Sequence, residues 1–260
     1  MRYILCLLTV ISLTSCKSQK NMPEFAKNVV VAHRGAWKAQ GLPENSIASL
    51  KHAIALQCAG SEFDVQMTSD DILVVNHDEA YEGMDIAETS YANLAVHKLS
   101  NGETLPTLRE YILAGMDKNT STRLVCEIKP AKTKERGQKI AEKTLLLVKE
   151  LDAEDMTVYI SFDYEILQKI EELNPNAHTQ YLEANKSPEQ IKTDGIDGAD
   201  YHFKAFKKHP EWIESAKKIG ITLNAWTVND PDDMDWLLEE GFDFITTNEP
   251  ELVLEKLKTR

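Results

Sequence analysis

The sequence predicts an α/β fold of the (β/α)8 TIM-barrel type, with a small insertion after the second barrel strand. Three observations predict it. The chain has 260 residues, close to the roughly 250 that a (β/α)8 barrel uses. Eight short strand-like segments alternate with helix-like ones, the pattern of a parallel sheet built from repeated β-α units. The side chains able to do chemistry fall on or just past those segments, and in a parallel barrel all strand ends share one mouth.

The N-terminus stands apart from this pattern. Arg2 precedes an apolar stretch from Tyr3 to about Leu13, too short for the roughly 20 residues of a membrane span. Leu13-Thr14-Ser15-Cys16 then resembles the lipobox of a bacterial lipoprotein signal, which implies cleavage before Cys16 and lipidation of its thiol. An ordinary secretory signal with an incidental cysteine is the alternative. Residues 1–15 are therefore expected to be a signal peptide, 16–27 a polar tether and 28–260 the barrel. The expected location is the cell envelope, outside the cytoplasm and lipid-anchored to a membrane, on the periplasmic face or the cell surface.

Strands are expected at 29–32, 61–66, 124–128, 157–161, 179–182, 199–202, 222–228 and 243–246. An extra strand at 72–75 falls between the second and third of these. Helices fill the gaps. The segment 44–56 carries Ile47, Leu50 and Ile54 at helical spacing after Pro43. The segment 136–151 carries Ile140, Leu145, Leu147 and Val148. Asp163 suits the N-cap of a helix at 164–173. Pro231 opens a helix at 232–239 that Gly241 ends, and 250–257 closes the chain. The stretch 79–105, with acidic residues, Gly83 and Gly102, fits no barrel unit and reads as an inserted lid or loop region over the mouth.

A hydrophobic content of 42% is enough for a full core, and the formal charge of −13 argues against nucleic acid as a partner. A local cluster of cations can still reverse the potential inside one cleft, so an anionic substrate is compatible with that charge. Cys58 and Cys126 remain after removal of Cys6 and lipidation of Cys16. They are read as small core residues, although two thiols in an exported chain can pair.

The chemistry-bearing residues form an ordered set. His33-Arg34-Gly35 follows one apolar run and His77-Asp78 another. Strand side chains alternate, so Glu62 and Asp64 share one face, as do Glu127 and Lys129. Three converging carboxylates, Glu62, Asp64 and Glu127, make an oxygen-donor site for one hard divalent cation, Mg²⁺ or Ca²⁺. Lys129 and Arg34 can meet a phosphate, Arg with a planar fork. His33 and His77 suit proton transfer near neutral pH. The set points to an enzyme acting on a phosphate ester.

His33-Arg34-Gly35, Pro43-Glu44-Asn45-Ser46, Glu62-x-Asp64, His77-Asp78 and Glu127-Ile128-Lys129 occur in the order and spacing of the glycerophosphodiester phosphodiesterase family. The resemblance continues through Ser161-Phe162, Trp226-Thr227-Val228-Asn229 and Thr246-Thr247-Asn248-Glu249-Pro250, and covers about residue 28 to the end. It implies a TIM barrel that hydrolyses glycerophosphodiesters to sn-glycerol 3-phosphate and an alcohol. It implies that His33 and His77 are the acid-base pair, that Glu62, Asp64 and Glu127 hold the metal, and that Arg34 and Lys129 meet the phosphate. Glu44 and Asn45 would lie near the site among the substrate- and phosphate-binding residues, touching the metal or the histidines. It further implies that the neighbouring glycerol hydroxyl attacks first, giving a cyclic phosphate that water opens.

Trp226 either packs its ring on the glycerol carbons or fills the barrel core. Tyr181, Tyr201 and His202 are weaker strand-end candidates for the site, with core or rim packing as the default, and His52, His97, His178 and His209 are expected to do no chemistry. Two departures from the family pattern border the mouth. Glu79-Ala80-Tyr81-Glu82-Gly83-Met84 stands where a Leu-x-Arg-Thr stretch is common, and Ser69-Asp70-Asp71 replaces a basic-Asp-Gly turn. They bear on the substrate's alcohol group and remove no predicted ligand. Two other functions fit less well: a phosphodiesterase acting on a larger lipid such as a lysophospholipid, and a binding barrel that has lost turnover. The second needs the loss of a histidine or carboxylate, and none is lost.

Overall fold

In the computed structural model, eight parallel strands close on themselves through neighbour pairs that follow the chain. The structure describes residues 23–260. The expected signal peptide, Cys16 and most of the tether lie outside the described residues. The barrel strands are β1 (Val30–Ala32), β2 (Gly60–Met67), β6 (Arg123–Ile128), β7 (Thr157–Ser161), β8 (His178–Tyr181), β9 (Gly198–His202), β10 (Thr222–Trp226) and β11 (Phe244–Thr247). Closure comes at β1, which pairs with β11 on one side (Ala32 opposite Thr247) and β2 on the other (Ala32 opposite Ser61). The extra strand β3 (Leu73–Val75) pairs antiparallel with β2, so β2 runs longer than its neighbours.

Two cores hold the barrel. Phe63, Val65, Leu124, Cys126, Tyr159 and Ile245 point outward into the layer shared with the helices. Val31, Val125, Val158, Ile160 and Leu182 fill the lumen with Phe162, Trp226 and Phe244. Fully burying one such apolar side chain contributes about 1.5–3 kcal/mol. Phe63 and Val65, both fully buried, thus anchor β2 from outside and set the alternate residues Glu62 and Asp64 toward the lumen. Cys58 and Cys126 are buried free thiols, the core role expected of them.

The helices are α1 (Ile47–Ala55), α2 (Tyr91–Leu94), α3 (Leu108–Met116), α4 (Lys134–Glu150), α5 (Tyr164–Leu173), α6 (Pro188–Thr193), α7 (Phe203–Lys208), α8 (Glu211–Ile219), α9 (Pro231–Glu239) and α10 (Pro250–Lys258). Asp163 caps α5 through the Glu165 N–H. The first helix begins later than 44: Asn45 has φ +57°, a left-handed conformation that no helix continues, and Ser46 becomes the N-cap. β10 ends at Trp226, two residues before the expected limit.

The insertion has a structure of its own. A hairpin of β4 (Ala80–Tyr81) and β5 (Met84–Asp85) is followed by α2. Val74, Tyr81, Ile86, Leu94 and Leu105 bury one another in a separate small core. Its Glu103 carboxylate accepts the Ile47 and Ala48 N–H groups at 2.9 and 3.1 Å, satisfying orphan donors at the start of α1. The insertion buttresses one rim, and no residue of 79–105 lines the cavity at the mouth. That corrects the expectation of a lid.

Candidate active site

The turn after β1 carries the first half of the site. Arg34 and Gly35 have φ +57° and +81°. A Cβ on Gly35 would sit 2.4 Å from Ser49 Oγ and 2.7 Å from the Ser49 carbonyl carbon, so glycine is required there. The turn aims the Arg34 N–H at Glu62 Oε2, 2.7 Å away. The Arg34 guanidinium pairs with Glu44 and has its Nε 3.7 Å from Asp64 Oδ2. Asn45 donates its N–H to the Arg34 carbonyl at 3.0 Å and its side-chain amide to Asp64 Oδ2 at 2.8 Å. It also accepts the Asp64 N–H at 3.2 Å. The Pro43-Glu44-Asn45-Ser46 segment therefore orients Arg34 and Asp64 together.

Neighbouring register completes the cluster. Asp64 on β2 lies opposite Glu127 on β6, and Lys129 reaches both, 2.8 Å from Glu127 Oε1 and 3.2 Å from Asp64 Oδ1. Carboxylate oxygens of Glu62, Asp64 and Glu127, all buried, lie within 4.8 Å of one another.

The two histidines flank this cluster. His33 Nδ1 is 2.7 Å from Asn248 Oδ1. His77 follows β3, with its Nδ1 2.8 Å from Asp78 Oδ1. The Gln66 amide donates to the carbonyls of Asn76, at 3.0 Å, and His77, at 3.2 Å, pinning that loop to β2.

His33, Arg34, Glu62, His77, Glu127, Lys129 and Trp226 border one cavity of about 110 Å³, with Phe162, Leu182 and Asp200 among its other walls. Asp64 and Asn45 stand behind it, and Glu44 holds Arg34 from the rim. Trp226 lines the cavity and packs edge-on against Phe162 at 5.3 Å, so it is both a site wall and part of the lumen packing. A second cavity, about 760 Å³, lies at the opposite end of the barrel and holds none of these groups. Tyr181 and Tyr201 are buried, and His202 accepts the Lys204 N–H at the start of α7. All three serve packing or capping, as expected.

Three residues at the site went unassigned by sequence reasoning: Asn248, Gln66 and Asp200. Gln66 continues the Glu62, Asp64 alternation, and Asn248 lies directly past the last strand, so each carried a readable signal. Asp200 is a lone carboxyl in a buried strand, a pattern worth marking because buried carboxylates need partners.

A model of the glycerophosphoryl diester phosphodiesterase family matches residues 33–252. The chain belongs to that family. A glycerophosphodiester phosphodiesterase from Parabacteroides distasonis has the same fold at a TM-score of 0.87 and 40% identity, over 89% of this chain and 97% of that one. The Bacillus subtilis (strain 168) glycerophosphodiester phosphodiesterase is 31% identical over 92% of this chain and 89% of its own length. That of Caldanaerobacter subterraneus subsp. tengcongensis is 29% identical over 89% and 98%. The chain is a phosphodiesterase built on the family's closed barrel.

Charge within this phosphodiesterase pocket is finely divided. Burial, then Asp64 and Glu127, pushes the Glu62 carboxyl well above its usual range. Burial, then Asp64, lifts Glu127 to about 7. Burial also works against the Asp64 charge, yet Lys129, the Asn45 amide and Arg34 outweigh it and hold that carboxyl low. Burial, then Arg34, lowers His33 to about 4 against the pull of Asn248. Asp64 Oδ1 and Glu127 Oε1 are ion-paired with Lys129, whereas the buried Glu62 Oε1 has neither a hydrogen-bond nor an ion-pair partner among the described residues. Mutual repulsion, a buried oxygen without a partner and an all-oxygen donor set fit a hard divalent cation.

Proposed function

We propose that the protein hydrolyses glycerophosphodiesters to sn-glycerol 3-phosphate and an alcohol, using one divalent cation, Mg²⁺ or Ca²⁺, held by Glu62, Asp64 and Glu127. The observation that carries this reading is the convergence of two histidines, two cationic side chains and the carboxylate cluster on one cavity at the strand ends. When bound, such a cation neutralises phosphoryl oxygens and stabilises developing negative charge. Arg34 and Lys129 bind the phosphate. Asn45 and Glu44 keep Asp64 and Arg34 in place.

His33 is the base. An amide oxygen only accepts, so Asn248 Oδ1 fixes the proton on His33 Nδ1 and leaves Nε2 with its lone pair. Its lowered pKa keeps the ring neutral at pH 7. Nε2 takes the proton of the attacking hydroxyl. His77 gives a proton to the departing alkoxide, at the side exchanging with solvent. Trp226 packs on the glycerol carbons.

The described chain begins at the end of the barrel opposite the mouth. The Arg123 guanidinium at the start of β6 lies 3.8 Å from the Phe25 ring centroid. Cys16 is nine residues earlier, a reach of at most about 30 Å. We infer that Cys16 carries the lipid anchor outside the cytoplasm and that the mouth turns away from the anchoring membrane. This favours diesters released into water over a lysophospholipid still in that membrane.

The test is a panel of glycerophosphocholine, glycerophosphoethanolamine, glycerophosphoinositol and lysophosphatidylcholine. Release of sn-glycerol 3-phosphate is measured before EDTA, after EDTA, and after Mg²⁺ or Ca²⁺ is returned. Turnover of the water-soluble diesters that EDTA abolishes and one ion restores is expected. No product from any diester would refute the substrate class, and EDTA-resistant turnover after long dialysis would refute the metal. A Cys16→Ala variant should lose fatty-acid labelling, and labelling at wild-type level would remove the anchor from the proposal.

A further inference from the structure

The three clustered carboxylates do not exhaust the acidic groups of the pocket. Asp200, on the inner face of β9, also lines the cavity and is 1% exposed. Its Oδ1 is buried and has no hydrogen-bond partner. A cation explains the free oxygen of Glu62, but Asp200 lies outside the group of oxygens that approach within 4.8 Å. Among the described residues, no Lys, Arg or His forms an ion pair with it within 4.0 Å. Buried polar atoms in native folds nearly always have partners, so the partner of this oxygen is to be sought in what enters the cavity.

The surroundings state what kind of group that is. Asn224 on β10 stands opposite Asp200 in register, and its amide lies close enough to the Asp200 carboxyl to favour the charged form. Thr246 Oγ1 donates to Asn224 Oδ1 at 3.1 Å, which turns the Asn224 amide nitrogen toward Asp200. This ladder fixes the carboxyl while using only part of its capacity. The Trp226 indole N–H donates to the Asp200 carbonyl at 2.8 Å, so ring and carboxyl are held as one unit. Ile160 and Leu182 supply apolar wall beside them. An aromatic face for carbons next to one fixed polar atom is the arrangement that reads a short polyol. A hydroxyl both donates and accepts, so it suits a carboxyl in either charge state. Glycerol is the part common to all substrates of the proposed class, and a pocket wall fixed this firmly matches a constant group better than a variable alcohol.

We propose that Asp200 is a specificity-determining residue that binds the terminal free hydroxyl of the substrate's glycerol unit. The inference rests on the proposed glycerophosphodiester chemistry and deepens it. Asp200 touches a hydroxyl that takes no part in bond making or breaking.

The experiment compares two diesters, glycerophosphocholine and its analogue built on propane-1,2-diol, which lacks that hydroxyl. Kinetics are measured for wild type, Asp200→Asn and Asp200→Leu, with the melting temperature of each recorded. Wild type should prefer the glycerol diester by at least about tenfold in kcat/KM, because a site that bonds a hydroxyl rejects the analogue without it. In Asp200→Leu the preference should fall to within about threefold of unity, mainly through KM. Asp200→Asn keeps an acceptor at that position, so its preference should lie between the two. It also carries the test if the leucine variant does not fold. Equal loss on both substrates, or a preference that survives in the variants, overturns the assignment. Absence of wild-type turnover on glycerophosphocholine and every other glycerol diester is a separate failure, that of the proposed function itself.

Discussion

Asn248 Oδ1 and His33 Nδ1 are 2.7 Å apart although 215 positions separate them in the chain. The contact exists because β11 and β1 are the strands that close the barrel, and their last paired residues, Thr247 and Ala32, lie opposite each other. Asn248 thus sets the tautomer of the proposed base without adding charge. With burial and Arg34 lowering His33 to about 4, the ring is a neutral acceptor at pH 7, and its acidic limb in kcat/KM should lie well below that of an ordinary imidazole.

Replacing Asn248 tests this directly. Asn248→Leu should cut kcat by about 10–100-fold with less change in KM, the usual loss when an orienting partner of a functional histidine is removed. Asn248→Asp should place a carboxylate beside the ring and favour its protonated form, so the pH at which activity falls on acidification moves upward. An unmoved acidic limb in Asn248→Asp would mean that His33 does not set it.

The raised carboxyls of Glu62 and Glu127 give a second expectation, with a definite sign. A carboxyl whose folded pKa exceeds its unfolded value binds a proton on folding, so it stabilises at low pH and that stability is lost as pH rises. For Glu127 the loss runs from about 4.5 to about 7, and the raised Glu62 carboxyl adds a loss of the same sign. A cation that replaces the protons cancels the loss. The rise in melting temperature on adding Mg²⁺ or Ca²⁺ to EDTA-treated protein should therefore be larger at pH 8 than at pH 5.5. Thermal melts at both values decide it, and an equal rise would count against cation binding by this triad.

Much of this was legible from the chain, because the relevant signals are local. Period-two alternation shows that Glu62 and Asp64 share a face, and a parallel barrel brings strand ends together whatever their distance in sequence. The parts that were not legible depend on contacts between distant segments or on single dihedral angles. The Asn45 backbone at φ +57° delays α1, because its side-chain and backbone bonds to Asp64 and Arg34 outweigh helix propensity. The segment 79–105 reads only as a lid or loop region because its core joins single apolar residues, Val74, Tyr81, Ile86, Leu94 and Leu105, that have no regular period. Asp200 is not legible in the chain because the residues beside it, Asn224 and the Thr246 that bonds Asn224, belong to other strands.

Gly35 is where backbone geometry meets the site most tightly. Gly35→Ala asks for a side chain at φ +81° and places Cβ against the Ser49 backbone. A loss of about 2–4 kcal/mol in urea unfolding is expected from strain and overpacking together. Activity should fall as well, because the same turn directs the Arg34 N–H to Glu62. Gly41 also has positive φ but open space around it, so Gly41→Ala should cost less, about 1 kcal/mol from strain alone. Equal losses at the two positions would show that the Ser49 contact contributes nothing.

The division of labour between the histidines gives the last expectation. His33→Ala and His77→Ala should each lower kcat on a natural diester by about 10²–10⁴, the range for general acid-base groups, with melting temperatures near wild type because neither ring belongs to either hydrophobic core. His33 is tied to Asn248 and partly buried, whereas His77 stands at the mouth beside Asp78, with 37% of its side chain exposed. That placement gives His33 the attacking hydroxyl and His77 the departing alcohol. An alcohol as acidic as p-nitrophenol leaves without a proton. A p-nitrophenyl diester of glycerol 3-phosphate should therefore restore most of the activity of His77→Ala and little of that of His33→Ala. The opposite pattern would exchange the two roles, and wild-type rates for both variants on glycerophosphocholine would take the chemistry away from this pair altogether.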